Sequence, residues 1–293
     1  MALTDSEVRR LSRTLRDVVE PIAGCVYFVP EVHRRYAELG LEGRPAYFAS
    51  RGACLGGGTA PVPGEVITAA FGVFSPAAVI PAVQEAWSKT SAAELLQARL
   101  DGTVEALGRI IGPAPDGLGR ATEMLRKGAD AVSGAGRHLF SGLRALGWPG
   151  TPLGDFWRAA DLVREHRGDS HIAAWLSHGI GPIEAQLLLE LWWRMPLPVY
   201  TQGRGWTDAE IAASWDGLVE RGLVRGTLTH GAFTDKGEAF RGSIEEATDR
   251  QERPIIEAIG ADAAWLIETL RPWALAVVEA KGYPVDPATR TRM

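Results

Sequence analysis

A mainly α protein is predicted, with a helical pseudo-repeat domain followed by a C-terminal winged-helix segment holding a short β-hairpin. Three observations predict it. Apolar residues recur at helical spacing through most of the 293 residues, proline and glycine fall where such helices should start and stop, and a strand and hairpin signal appears after Gly205.

Within residues 4–20, Val8, Leu11, Leu15, Val18 and Val19 share one helical face, and Pro21 should end that helix. A second helix runs from about Pro30 to Leu39 and stops at Gly40. Between Gly43 and Gly64, glycine and proline are so frequent that a loop is expected, carrying Tyr47, Phe48 and Arg51. Further helices are expected at about 64–74, 76–88, 91–111, 116–145, 153–166, 170–178 and 182–195. Pro149 and Pro152, with Gly147 and Gly150 around them, mark a break. The domains are therefore drawn as 1–150, an N-terminal helical half, and 151–293, a second helical half including the winged helix at about 205–250 and a C-terminal helix.

In the winged segment, Thr207 and Glu210 have capping-box spacing, and Ile211, Trp215, Leu218 and Val219 give the helix one apolar face. The run Arg221-Gly222-Leu223-Val224 leads into a strand, Gly231 suits a hairpin turn, a second strand falls around Phe233-Thr234, and Lys236-Gly237 opens a closing helix. This order resembles the winged helices of the multiple-antibiotic-resistance regulator type.

The hydrophobic share of 46% suffices for a sizeable core. No run reaches the roughly 18 apolar residues of a membrane span, and the start of the chain is charged and amphipathic. A cytoplasmic location without a membrane partner is expected. Cys25 and Cys54 fit neither a disulfide framework nor a zinc motif and read as reduced, buried side chains. With 31 Lys and Arg against 36 Asp and Glu, the net charge of −5 gives no global pull toward a polyanion. Phosphate-loop, dinucleotide, nucleophile-elbow and metalloprotease motifs are missing, and Gly56-Gly57-Gly58 lacks the lysine of a phosphate loop. The cofactor is left unassigned.

Ile67–Trp87 and Ile172–Trp193 form a near-repeat: each has alanine two residues past its isoleucine, a proline opening the next helix (Pro76, Pro182) and a tryptophan eleven residues beyond that proline. Each copy follows an Arg-Gly pair, Arg51-Gly52 and Arg167-Gly168. A duplicated unit would bring the two turns to one cleft, where paired guanidinium groups suit an anionic ligand group. The densest polar stretch is Arg164–His171. One reading is local: Gly168 breaks a helix, and Asp169 or Ser170 caps the next. The other is a pocket, with His166, Asp169 and His171 as catalytic candidates and Tyr47, Arg51, Glu165, Arg167 and Arg204 as ligand contacts. A metal on His166, Asp169 and His171 would need an awkward geometry within one turn, so none is assigned.

The stretches YFVPEVHRRYAELGL, YFASRGACLG, FGVFSPAAVIPAVQEAW, LVREHRGDSHIAAW, GRGW, RGLV with its T-x-x-G, and IEEATDR together cover most of residues 20–260. On these stretches the chain resembles an actinobacterial helix-turn-helix family of unknown function. It departs from the family pattern at Cys54, where proline is usual, and at Gly72-Val73-Phe74, where Tyr-Asn-Phe is usual. The resemblance implies a fold and a candidate site, and no reaction.

Asp208, Glu210, Asp216 and Glu220 crowd the helix that would enter a DNA groove, against one arginine, Arg221, so DNA is not expected as a partner. The leading expectation is a small-molecule-binding or catalytic protein of specialised metabolism, with an anionic-group-binding cleft and the winged helix as scaffold. The alternative is a ligand-responsive winged-helix transcription regulator. A small-molecule ligand is the expected partner, a homodimer is an open alternative, and whether the chain is an enzyme is left open.

Overall fold

The computed structural model describes residues 3–289. Helix α1, Asp5–Gly24, is opened by a capping box in which Thr4 and Glu7 satisfy each other's backbone N–H groups. It does not stop at Pro21: Val18, Val19, Ile22 and Ala23 are all buried, and that burial outweighs the one backbone hydrogen bond proline removes. Helix α2 follows at Pro30–Glu38. The segment expected to be a loop instead begins with helix α3, Gly43–Gly52, which buries Ala46, Phe48, Ala49 and Ser50. Its flanking glycines and prolines hide a short amphipathic pattern.

Helices α4 (Gly64–Phe71), α5 (Pro76–Trp87) and α6 (Ala92–Ile111) lie where the periodicity puts them. The stretch expected as one helix at 116–145 is two, α7 (Leu118–Asp130) and α8 (His138–Ala145), divided at the Ser133-Gly134-Ala135-Gly136 turn. The opposite correction holds for the polar stretch. Residues 153–166 and 170–178 belong to a single helix, α9, Pro152–Ser177. Gly168 sits in its interior at a cost of about 1 kcal/mol relative to alanine, while its neighbours Glu165, His166, Asp169 and Ser170 are buried and held by tertiary partners.

Helices α10 (Pro182–Trp192), α11 (Val199–Gln202) and α12 (Asp208–Glu220) lead into strands β1 (Val224–Arg225) and β2 (Ala232–Phe233). The strands are antiparallel, with Val224 opposite Phe233 and Arg225 opposite Ala232. Helices α13 (Asp235–Gln251), α14 (Arg253–Ile259) and α15 (Ala263–Glu279) complete the order. The fold is thus mainly α with one short hairpin.

Two apolar clusters form. The larger takes in α1 through the first half of α9 and then α14 and α15, from Leu15 to Val163 and from Ile255 to Val277. The smaller runs from Ala174 to Ile244 and contains α10, α12, the hairpin and part of α13. The change of core therefore falls inside α9 and not at the glycines and prolines near residue 150. Helix α9 packs against α1, α7, α8 and α13, so it belongs to both bodies.

The T-x-x-G at Thr234–Gly237 has a steric cause. Thr234 Oγ1 accepts the Gly237 N–H at 3.0 Å and donates to the Gly222 carbonyl at 2.7 Å, which draws the start of α13 against β1. A Cβ at Gly237 would land on the Leu223 carbonyl oxygen. Gly237→Ala should therefore cost about 1–3 kcal/mol in urea unfolding. Gly242→Ala in the same helix meets nothing closer than Trp192 at 4.0 Å and should be neutral or stabilising. Equal effects at the two positions would refute the steric explanation.

Candidate functional site

Where the two bodies meet there is a cavity of about 230 Å³. Helix α9 supplies its floor, α1 one apolar wall through Leu15 and Val19, and α10 another through Leu189, with Trp193 just past its end. Helix α13, which closes the winged segment, contributes Glu245, and Glu252 follows just beyond it. Arg51 reaches in from the end of α3.

Glu165 is the electrostatic centre. Arg51 donates to it twice, from Nε at 3.1 Å and Nη2 at 2.9 Å, and Arg164 donates from Nη1 at 2.7 Å. Burial alone would push this carboxyl up, but the Arg51 and Arg164 guanidinium groups outweigh it and bring the pKa down to about 2. The Arg51 guanidinium also lies 4.6 Å over the Phe71 ring, and Arg164 has a second carboxylate partner in Glu20 at 3.1 Å. Arg167 donates to Asp249 at 2.9 Å, to Ser12 at 3.0 Å and to Glu245 at 3.4 Å. Burial raises the Glu245 carboxyl, and the Arg241, Arg167 and Arg16 guanidinium groups outweigh it and hold it well below the carboxylate range.

Arg51 and Arg167 thus line one cavity. Their Arg-Gly pairs are not equivalent turns, however: Arg51-Gly52 ends α3, whereas Arg167-Gly168 lies inside α9. Neither guanidinium offers an uncommitted fork, because each is already paired with a buried carboxylate.

The three catalytic candidates do not converge. His166 is buried outside the cavity lining, with Nδ1 2.7 Å from Glu252 Oε1 and its ring edge-on to Phe140. Asp169, also outside the lining, accepts the Phe140 backbone N–H at 3.0 Å. It therefore caps α8 from across the fold and not the helix it was expected to open. Burial pushes its pKa up to about 7, against the opposing pull of that N–H. His171 does line the cavity, and its Nδ1 lies 3.0 Å from Thr248 Oγ1. Since that hydroxyl donates to the Ile244 carbonyl at 2.9 Å, it must accept from His171, which places the imidazole proton on Nδ1. Burial, reinforced by Arg241 and Arg167, lowers the His171 pKa to about 4, so the ring is neutral.

Tyr47 and Arg204 lie elsewhere. Tyr47 packs against Tyr27, Phe48 and Phe74, and Arg204 lies 4.3 Å over the same Phe74 ring. The Arg204 carbonyl accepts the Ser75 N–H at 3.0 Å, so this bond ties the chain just before the winged segment to the start of α5. Sequence reasoning missed Gln186, Trp193 and Glu245 on the cavity wall. A signal existed for Gln186, the one neutral polar side chain in PIEAQLLLELWW. Among the described residues, no group of three or more His, Cys, Asp or Glu side chains is arranged to hold a metal ion. No helix among them is long and apolar enough to cross a membrane.

The helix-turn-helix family matches the chain over residues 12–284. The chain belongs to this family. Neither a curated protein nor a solved structure matches it. Membership corrects the expectation that DNA is no partner, because a helix-turn-helix family carries DNA-binding potential. Glu210 accepts the Thr207 N–H at 2.9 Å and hydroxyl at 2.7 Å, and Asp208 accepts from Gln202 at 3.0 Å, so both carboxylates, still charged, are held at the N-terminal turn of α12. Beside them the exposed residues of α12 include Ala209, Ala212 and Ala213, which let a backbone approach closely, and Arg225 and His230 are exposed on the hairpin.

Proposed function

We propose that this helix-turn-helix protein is a ligand-responsive transcription regulator, in which α10–α12 and the hairpin engage DNA and the cavity beside α9 takes a small-molecule effector. The observation that carries the reading is the double role of α13. One end is drawn against β1 through Thr234 and Gly237, and further along Glu245 lines the cavity and pairs with Arg167 of α9. A molecule that fills the cavity better in one setting of α13 against α9 would bias the presentation of α12 and the hairpin by its differential affinity for the two settings. The other reading, a small-molecule-binding or catalytic protein with the winged helix as scaffold, draws less from the geometry, since His166, Asp169 and His171 bond to three different partners, Glu252, the Phe140 N–H and Thr248.

Selection of bound duplexes from a random oligonucleotide pool tests the reading. An enriched motif is expected, with affinity falling as salt rises. Arg225→Ala should weaken binding to all sequences alike and reduce the salt slope by about one, as loss of a phosphate contact does. Failure of the folded protein to enrich any sequence at low salt would overturn the proposal.

A further inference from the structure

We infer that the effector is an uncharged, largely apolar aromatic molecule bearing a hydroxyl or N–H donor, and that Gln186 and His171 read that polar group. This inference rests on the regulator reading for its consequence and on the cavity alone for its chemistry.

Charge is the first argument. The cations lining the cavity are Arg16, Arg51, Arg164 and Arg167, and each is within ion-pair distance of a carboxylate. The carboxylates on the wall are Glu20, Glu165, Glu245 and Glu252, equal in number to the arginines. An incoming anion would have to draw an arginine from its carboxylate, an incoming cation at Glu20, Glu165 or Glu245 would draw that carboxylate from its arginine, and one at Glu252 would break the buried contact with His166. Stranding one partner of a buried pair is far more costly than leaving the pair intact. An uncharged ligand disturbs neither.

Hydrogen bonding is the second. Gln186 is 6% exposed, lines the cavity, and among the described residues its Oε1 has no donor. His171 carries its proton on Nδ1, bonded to Thr248, which leaves Nε2 as an acceptor. Two acceptors beside one cavity, Gln186 Oε1 and His171 Nε2, suit a ligand that brings a donor, and the Gln186 amide nitrogen can return a bond to a ligand oxygen. Leaving these groups unmet selects against hydrocarbons that bring nothing polar. The remaining wall, with Leu15, Val19, Leu189, Ile256 and the Trp193 ring, suits an aromatic body.

Isothermal calorimetry on the full chain with a naphthol, the matching naphthoate, the matching naphthylmethylammonium and naphthalene itself tests the inference. The naphthol should bind at least about tenfold more tightly than the other three, a factor within reach of one satisfied buried hydrogen bond or one avoided stranded charge. Gln186→Leu should erase most of the preference for naphthol over naphthalene while leaving naphthalene binding unchanged or stronger. His171→Phe is the second variant should Gln186→Leu fail to fold. Tighter binding of the naphthoate or the ammonium compound, a preference untouched by either folded variant, or no binding of the naphthol would each overturn the inference. The DNA selection is scored separately. Naphthol binding without any effect on DNA affinity would leave the ligand class standing and remove the regulator reading, and an enriched motif together with anion-selective binding would do the reverse.

Discussion

Replacing Glu165 by leucine should cost about 3–5 kcal/mol in urea unfolding, the range for removing one partner of a buried charge pair. The loss arises because Arg51, whose side chain is only 13% exposed, would be left with no counter-ion where Glu165 now accepts two of its N–H groups. Arg164 suffers less, since it keeps Glu20. Adding Arg51→Met should therefore recover a substantial part of the loss, because a paired charge and an apolar pair of similar volume are often close in stability. Additive losses in the two single variants, with no recovery in the double variant, would show that the pair is uncoupled. The pH dependence has a definite sign. Glu165 is held at about 2 in the folded chain against an ordinary 4.5, so its contribution is complete above about 4.5 and is lost as pH falls toward 2. Stability of the Glu165→Leu variant should fall less steeply across that window.

Asp169 should produce the opposite slope. Its carboxyl is held at about 7 in the folded chain against 3.8 ordinarily, so between those values the native state keeps a proton that the unfolded chain has released. Its contribution is fullest below about 3.8 and is lost as pH rises to about 7, a change of about 4 kcal/mol at 1.36 kcal/mol per unit. Asp169→Asn keeps an oxygen for the Phe140 N–H and carries no charge, so its stability should not decline over that interval. Asp169→Ala removes the acceptor and should be less stable than the asparagine variant by about 1–3 kcal/mol, the cost of an unmet buried donor. Urea titrations between pH 4.5 and 8 check both statements. Parallel pH profiles for the wild type and Asp169→Asn would mean that the carboxyl is ionised throughout and that burial does not hold its proton.

Features that depend on a few neighbouring residues can be read without the fold. The capping box at Thr207–Glu210, the proline starts at Pro30, Pro76 and Pro182, and the winged segment with its T-x-x-G were all legible, because each is decided within about one helical turn. The same local rules misled where distant partners took over. Gly168 reads as a helix stop only while Glu165, His166 and Asp169 have no visible partners. In the fold these come from Arg51, Glu252 and the Phe140 N–H, which lie 114, 86 and 29 residues away. The glycines and prolines after Gly43 masked α3 for a related reason, since its helical state depends on Phe48 meeting Phe71 and Phe74. Arg51 and Arg167 could be singled out as candidates, but a sequence does not say whether a guanidinium faces a ligand or is already neutralised. That was decided by Glu165 and Asp249, because a buried charge is stable only with a counter-charge at contact distance, and tertiary packing alone sets that distance.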